Sequence, residues 1–303
     1  MGYLYKYNSD IFLSENDISY YLLGLFITDG NVYIKKNATA IQCEIKSIDY
    51  DFLITIKNLI CPNLPLKKSH NNCFRLRINN KEIGQWLILN KCIPNKTKVV
   101  DFPDIPKEYL SDFVRGLIDG DGSIGIYKNR SCVRFDSASL NLITKLCYLL
   151  NNLNIKCSIS KSKWIECILN GRKIKSTTQM YRLTFTGLTA YKLLKFIYKN
   201  ERLCLLRKKE TAELIYNYIE RNGFTEEELL NMNRLPVKKW LSDNDLFKLM
   251  INHNGILKSA AQTIGVSSWG LSCRLREIGM YDAVRQLYPI NNIKNLKPLT
   301  AAI

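Results

Sequence analysis

The sequence predicts an α+β fold: two pseudo-symmetric αββαββα repeats over residues 1–108 and 109–219, a linker over 220–240, and a small all-α domain over 241–303. Three observations carry this. The segments Leu22-Leu-Gly-Leu-Phe-Ile-Thr-Asp-Gly30 and Val114-Arg-Gly-Leu-Ile-Asp-Gly-Asp-Gly122 share one pattern, an apolar helix with a glycine on one face that ends in Asp-Gly, and the two ends lie 92 residues apart. The hydrophobic periodicities that follow each copy run in the same order. Beyond Tyr218 the alternating patterns stop and only helical ones recur.

Taken in order, the first repeat continues from its helix into Val32–Lys36 and Ala38–Ser47, which alternate as two strands of a hairpin. Tyr50–Ile60 has helical periodicity and stops at Cys61-Pro62. Leu66–Ser69 and Cys73–Ile78 make a second hairpin, and Asn80–Leu89 a second helix. In the second repeat Gly125–Lys128 and Ser131–Ala138 are strands and Leu140–Leu153 is a helix. Cys157–Leu169 and Thr178–Phe185 follow as strands around Asn170-Gly171, a strong turn signal, and Thr189–Lys199 and Leu203–Tyr218 as helices.

The duplicated helix is the informative element. Gly24 and Thr28 are four residues apart, as are Gly116 and Gly120, so each pair lies on one helix face where small residues let two backbones approach. Gly30 and Gly122 are placed for left-handed caps. Asp29 and Asp121 then fall in the last turn, where a carboxylate opposes the helix dipole by a few tenths to about 1 kcal/mol. Bringing two such ends together adds repulsion, and a divalent cation flanked by both relieves it. A single Asp-Gly is also an ordinary turn signal, and for either site alone that reading stands; the matching context of two favours a pair of functional carboxylates. Asp119 has Ile27 as its counterpart and is read as a supporting residue.

Composition bounds the partners. The 303 residues suffice for two or three modest domains, each with a core. Lys and Arg number 44 against 27 Asp and Glu, and an excess of seventeen positive charges points to a polyanion, most simply nucleic acid. An anionic membrane surface competes, but no basic amphipathic helix with an apolar face stands out and no apolar run reaches membrane-span length. The start is too polar for a signal peptide, so an intracellular, soluble protein is expected, in cytoplasm or organelle matrix. The ten cysteines contain no Cys-x-x-Cys pair and read as reduced, mostly buried residues. Only His70 and His253 are present, which argues against zinc and against His-dependent nuclease chemistry.

Charge within the strands adds to this. Arg75, Arg77 and Lys81 lie in the first repeat, and Lys161, Lys163, Arg172, Lys173, Lys175 and Arg182 in the second. A basic exposed sheet face suits phosphates, and a twisted antiparallel ribbon can enter a major groove to read base edges. The alternative is a solvated basic face that binds nothing.

With these residues in view, the helix segments resemble the LAGLIDADG motif of homing endonucleases, most closely in Phe113-Val-Arg-Gly-Leu-Ile-Asp-Gly-Asp-Gly-Ser123. Pro94-Asn-Lys-Thr97 and Phe102-Pro103 resemble the lead-in between repeats, and the resemblance covers roughly residues 14 to 216. The first copy departs from the pattern at Phe26 and Thr28 but keeps its Asp-Gly. The resemblance implies a monomer whose two halves form a saddle of two sheets on double-stranded DNA, with the motif helices at the pseudo-dyad. It implies that Asp29 and Asp121 hold magnesium, with manganese as a substitute, beside the scissile phosphates, and that each helps cut one strand to leave staggered ends. It implies a basic residue near each carboxylate. Lys96 and Lys208 are the matching positions, with Lys98 and Lys209 as near substitutes.

Beyond Tyr218 the linker carries Asn222-Gly223, the acidic triplet Glu226–Glu228, Pro236 and Lys238-Lys239, with room for one short helix. Ser242–Met250, Ile256–Ile264 and Ser268–Ile278 then read as helices, with a turn at Asn254-Gly255 and a tight one at Gly265-Val266-Ser267. Ala261, Gly265, Val266, Leu271 and Leu275 are similar to a helix-turn-helix pattern, whose third helix would offer Ser268, Trp269, Ser272, Cys273, Arg274 and Arg276 to DNA. A small helical bundle without that role fits the same pattern. The leading function is therefore a metal-dependent, site-specific DNA endonuclease of the homing type. A maturase acting on its own intron RNA, and a DNA-binding regulator with a decayed nuclease site, are the alternatives. An intein host is not expected, since Met1 and Leu299-Thr-Ala-Ala-Ile303 lack the terminal groups that splicing needs. High Asn, Ile, Lys and Tyr usage fits an AT-rich genome such as a phage or organelle.

Overall fold

A computed structural model describes residues 5–34, 41–69, 73–94, 96–127, 130–162, 166–169, 172–175, 178–199, 201–221, 223–231, 241–264, 266 and 268–288. After a short helix α1 (Asp10–Leu13), the first repeat runs α2 (Asp17–Thr28), β1 (Gly30–Ile34), β2 (Ile41–Ser47), α3 (Tyr50–Ile60), β3 (Lys67–Lys68), β4 (Phe74–Asn79) and α4 (Lys81–Leu89). The second runs α5 (Leu110–Asp121), β5 (Gly122–Tyr127), β6 (Arg130–Ser137), α6 (Leu140–Asn152), β7 (Ile159–Lys161), β8 (Glu166–Leu169), β9 (Arg172–Lys175), β10 (Tyr181–Thr186), α7 (Leu188–Tyr198) and α8 (Leu206–Arg221). Helices α9 (Glu226–Asn231), α10 (Asp243–Asn252), α11 (Leu257–Thr263), α12 (Ser268–Glu277) and α13 (Tyr281–Leu287) complete it.

The fold is α+β, and the repeats are visible in the sheets. One sheet has the order β1-β2-β4-β3 and the other β5-β6-β10-β7, the same order under the duplication. In the first, β2 pairs antiparallel with both neighbours, setting Gly30 opposite Ile45 and Glu44 opposite Arg77. Helix starts follow from their caps: Asn16 and Ser19 satisfy each other's backbone N–H groups at the head of α2, and Asn80, Ser139 and Ser242 accept from the third helical N–H of α4, α6 and α10.

By its contacts the chain resolves into two units. The first comprises residues 1–123, 133–185 and 192–210. Helix α2 is apolar around its circumference and is buried from Ser19 to Ile27, as a helix inside a core must be. Phe12, Phe26, Phe113, Leu117 and Ile118 are fully or almost fully buried in the same unit, each contributing about 1.5–3 kcal/mol by leaving water. The second unit comprises residues 124–132, 186–191 and 211–303. Its core is Leu246, Met250, Ala260, Ala261, Ile264, Leu271, Leu275 and Val284. No described helix is long and apolar enough to cross a membrane.

Two expectations are corrected. Cys157–Leu169 is not one strand: β7 is only Ile159–Lys161, and β8 and β9 form a separate two-stranded ribbon with Leu169 opposite Arg172. Asn170 and Gly171 lie outside the described residues, but the strands flanking them pair with each other, and the partner of β10 is β7. Gly30 and Gly122 are not left-handed caps. Asp29 caps α2 in right-handed conformation and Gly122 is extended, at φ −80° and ψ 162°. Their smallness is steric, because a Cβ would lie 2.6 Å from the Phe26 carbonyl oxygen at residue 30 and 2.5 Å from that of Ile118 at residue 122. The predicted linker contains α9, while 232–240 lie outside the described residues, as do Asn222, Gly265 and Ser267. Helix α13 had no expectation.

Candidate active site

Helices α2 and α5 pack backbone against backbone, and their glycines permit it. A Cβ on Gly116 would lie 2.1 Å from the Tyr21 carbonyl oxygen, and one on Gly24 would lie 2.3 Å from that of Phe113. One turn on, the two faces are complementary: Thr28 fills the space that Gly120 leaves, so that a Cβ on Gly120 would sit 1.9 Å from Thr28 Oγ1. Thr28 satisfies that hydroxyl within its own helix, on the carbonyls of Gly24 and Leu25 at 3.1 and 3.0 Å. The departure of the first copy from its pattern is thus a packing answer to the second.

This approach delivers Asp29 and Asp121 at the ends of the two helices, each reaching solvent. Protein behind them removes part of their hydration. Burial, then the charge of Asp121, pushes Asp29 up to about 6, and burial raises Asp121 against the nearby Lys208 and Lys96. The helix ends add to this, since their dipoles place negative charge beside each carboxylate.

Two buried lysines face the same ends. Lys96, 8% exposed on a 3₁₀ turn at Lys96–Lys98, donates Nζ to the Gly30 carbonyl. Lys208, 6% exposed on the first turn of α8, donates Nζ to the carbonyls of Ile118 and Asp119 at 2.7 Å, Gly120 at 3.1 Å and Gly122 at 2.7 Å. It ties down the last carbonyls of α5, that of Ile118 shared with the capping N–H of Gly122, together with the carbonyl of Gly122 itself. Burial lowers the pKa of both lysines, Lys208 to about 8. Lys98 is exposed instead, and Lys209 is ion-paired to Glu201.

Asp119 is 2% exposed and accepts from Tyr21 Oη at 2.8 Å, Tyr198 Oη at 2.7 Å and the Leu205 N–H at 2.8 Å. It anchors the chain that launches α8, and so holds Lys208 in place. Burial raises its pKa against these three donors. Sequence reasoning missed Arg115, which is equally buried. Its guanidinium donates to the carbonyls of Leu203 and Ile197 at 2.9 Å and to Asp112 Oδ1 at 2.7 Å, and lies over the Tyr21 ring. Its position in an apolar helix was the available signal, since a buried charge needs such partners.

The basic sheet faces are less free than their composition implies. Arg77 donates to Glu44 Oε2 through Nε at 3.0 Å and Nη2 at 2.9 Å, with Arg75 3.7 Å from the same oxygen. In the second repeat Arg182 donates to Asp136 at 2.8 and 3.0 Å. Glu44 and Asp136 each lie fifteen residues after their motif aspartate, a symmetry that could have been read from the chain. Lys161 is exposed, and Lys163 lies outside the described residues.

In the second unit, α11 and α12 flank the expected tight turn, with Ala261, Leu271 and Leu275 buried. Ser268 and Arg276 are exposed, and Ser272, Cys273 and Arg274 are half-buried. Arg274 pairs with Asp243 at 3.2 Å. Trp269 lies on α12, its side chain outside the described set. Among the described residues no three His, Cys, Asp or Glu side chains gather as a metal cluster.

Residues 108–197 match the family model described as LAGLIDADG-like domain. Among curated relatives, Uncharacterized protein MJ0398 of Methanocaldococcus jannaschii is 24% identical over 54% of this chain and 59% of its own length. ATP-dependent DNA helicase Hel308 of the same organism is 27% identical over 76% of this chain and 19% of its own length. The chain therefore spans less than two thirds of either relative. Among solved structures, mesophilic variants of the homing endonuclease I-DmoI are 19% identical, with a TM-score of 0.41 over 61% of this chain and 97% of that one. The meganuclease I-SmaMI bound to uncleaveable DNA is 13% identical, with a TM-score of 0.45 over 70% and 95%. The likeness to the LAGLIDADG-like domain model thus lies within the second repeat, from residue 108 to residue 197.

Proposed function

We propose that the protein is a site-specific, divalent-metal-dependent endonuclease for double-stranded DNA of the homing type, acting as a monomer. The observation that carries this reading is the pair of carboxylates, Asp29 and Asp121, set at the ends of two helices in backbone contact, with the buried Lys96 and Lys208 beside them. The donor set fits a hard cation: two carboxylate side chains, both under electrostatic strain that a divalent charge relieves. With only two protein carboxylates, the remaining ligands come from water and substrate phosphate, which is the way magnesium is usually held, and manganese fits the same donors. Bound there, such an ion supplies an activated water and stabilises the leaving oxygen.

The chain's own residues do the rest. Asp29, ionised above about pH 6, and Asp121, its carboxyl also raised by burial, would hold the cation, one carboxylate serving each strand. Lys96 and Lys208 fix the helix ends and offset negative charge arriving with the scissile phosphates. Lys161 presents positive charge along the second sheet, while Arg75, Arg77 and Arg182, their charge offset by Glu44 and Asp136, are held by those carboxylates for hydrogen bonding to DNA. The helices at the carboxyl end, with Ser268, Trp269, Ser272, Arg274 and Arg276, extend the target to one side.

The test is cleavage of a randomised duplex library with magnesium, wild type against Asp121→Asn, with calcium as a binding-only condition. One long site cut through both strands by wild type, and bound and at most nicked by the variant, is expected. Binding without cutting by either protein would favour the regulator, and retention of intron RNA with no duplex enriched would favour the maturase.

A further inference from the structure

Most arginines that sequence analysis assigns to DNA are neutralised within the protein: Arg77 by Glu44, Arg182 by Asp136, Arg274 by Asp243. One group on the carboxyl-terminal helices behaves otherwise. Arg276 on α12 and Arg285 on α13 converge on the ring of Tyr281, their Cζ atoms 4.5 and 5.3 Å from its centroid. Among the described residues neither guanidinium is paired with a carboxylate. Arg285 makes a long bond from Nη1 to the Gly255 carbonyl at 3.4 Å, and its Nε is buried without a hydrogen-bond partner. Arg276 is exposed.

Two like charges drawn to one aromatic ring repel, and cation–π attraction at a surface recovers only about 0.5–1 kcal/mol for each. An anion joining both guanidiniums turns that repulsion into charge-assisted hydrogen bonding, and the planar fork of arginine suits phosphate oxygens. The Tyr281 hydroxyl, which both guanidiniums hold below its ordinary pKa, lies in the same positive field. We propose that Arg276, Tyr281 and Arg285 form a clamp for a backbone phosphodiester of duplex DNA, so that α13 joins α12 in the DNA-contacting surface. The proposal rests on the DNA reading above. It gives Arg276 a backbone phosphate as its partner, since its guanidinium already lies over the Tyr281 ring.

The test uses the full chain carrying Asp121→Asn, in calcium, with a labelled mixed-sequence duplex longer than the core footprint. Its Kd is measured across a range of salt. Each phosphate contact contributes about 0.9 to the slope of log affinity against log salt. Arg285→Gln should lower that slope by about 1 and weaken binding several-fold, whereas Arg285→Lys should keep most of the slope. If Arg285→Gln lowers the melting temperature, Arg276→Gln gives the same readout from an exposed position. Slopes unchanged in both glutamine variants would overturn the clamp while leaving the endonuclease reading intact. Failure of the parent protein to bind any duplex would overturn the DNA reading itself.

Discussion

Replacing Gly116 by alanine sets two effects of opposite sign against each other. Alanine is a better helix former than glycine by about 1 kcal/mol, so local propensity predicts stabilisation. The packing predicts the reverse. The added methyl would lie 2.1 Å from the Tyr21 carbonyl oxygen, 2.9 Å from the Leu25 nitrogen and 3.1 Å from the Gly24 Cα, all backbone atoms of α2. Ordinary carbon contacts need about 3.5 Å, so the helices must separate by about 1 Å, because no side chain is present to swing aside. Overpacking of this kind costs about 3 kcal/mol at its upper range, which leaves a net loss of about 2 kcal/mol after the propensity gain. For a domain of this size that is a fall in Tm of about 4–8 °C. Because Asp29 and Asp121 ride on the same two helices, a 1 Å separation should also lower the cleavage rate by about 100-fold. Chemical denaturation and a single-turnover cleavage assay check both. A variant as stable as the parent, or more stable, would show that the helices are not held apart by their backbones alone, and the account of the motif glycines would fail.

Other perturbations follow from the same site. Asp29→Asn and Asp121→Asn should each spare one strand, so supercoiled substrate accumulates as a nicked circle; intact linear product from either variant would separate that carboxylate from the chemistry. Cleavage should fall as pH drops through about 6, where Asp29 takes up a proton. Stability should move the other way: its folded pKa lies above its unfolded value, so protonation favours the native state and the melting temperature contribution rises as pH falls from about 6 toward 4. Parallel pH profiles of rate and Tm test this pair of signs. Asp119→Ala strands the Tyr21 and Tyr198 hydroxyls and the Leu205 N–H, and should cost about 3–5 kcal/mol by denaturant titration. Gly120→Thr alone should destabilise, and adding Thr28→Gly should recover most of the loss, as a double-mutant cycle would show.

The backbone of this fold was legible because the duplicated helix and its periodicities are local signals. Tyr50–Ile60 ends where Pro62 forces it to, and α12 begins at Ser268, as its pattern predicts. The ribbon β8–β9 was misjudged because one run of strand-forming residues cannot reveal which partner it pairs with; that depends on atoms far along the chain. In the site, Asp29 and Asp121 stand out in the sequence because a carboxylate at a helix end is chemically costly. The partners of Arg115 were not legible, since Leu203, Ile197 and Asp112 meet it only after α5 and the start of α8 are in place. Lys96 and Lys208 could be named by likeness, but that they would spend their ammonium groups on backbone carbonyls depends on where the helix ends fall. Glu44 and Asp136 were available from the equal offset, and pass unnoticed only when charges are summed and not aligned.

The fit of Thr28 into the notch at Gly120, together with Ile27 standing where the other half has Asp119, gives the protein a polarity between its halves. A homodimer of residues 1–108 would bring two threonines into collision at the axis, and one of residues 109–219 would leave a hollow there. Neither half can return to being a symmetric partner of itself. The halves have become a matched plug and socket, so recombination between related genes can exchange them only as complementary pairs. A protein so built holds its two motif helices as an unlike pair, and any return to two identical halves must first repack the contact between Thr28 and Gly120.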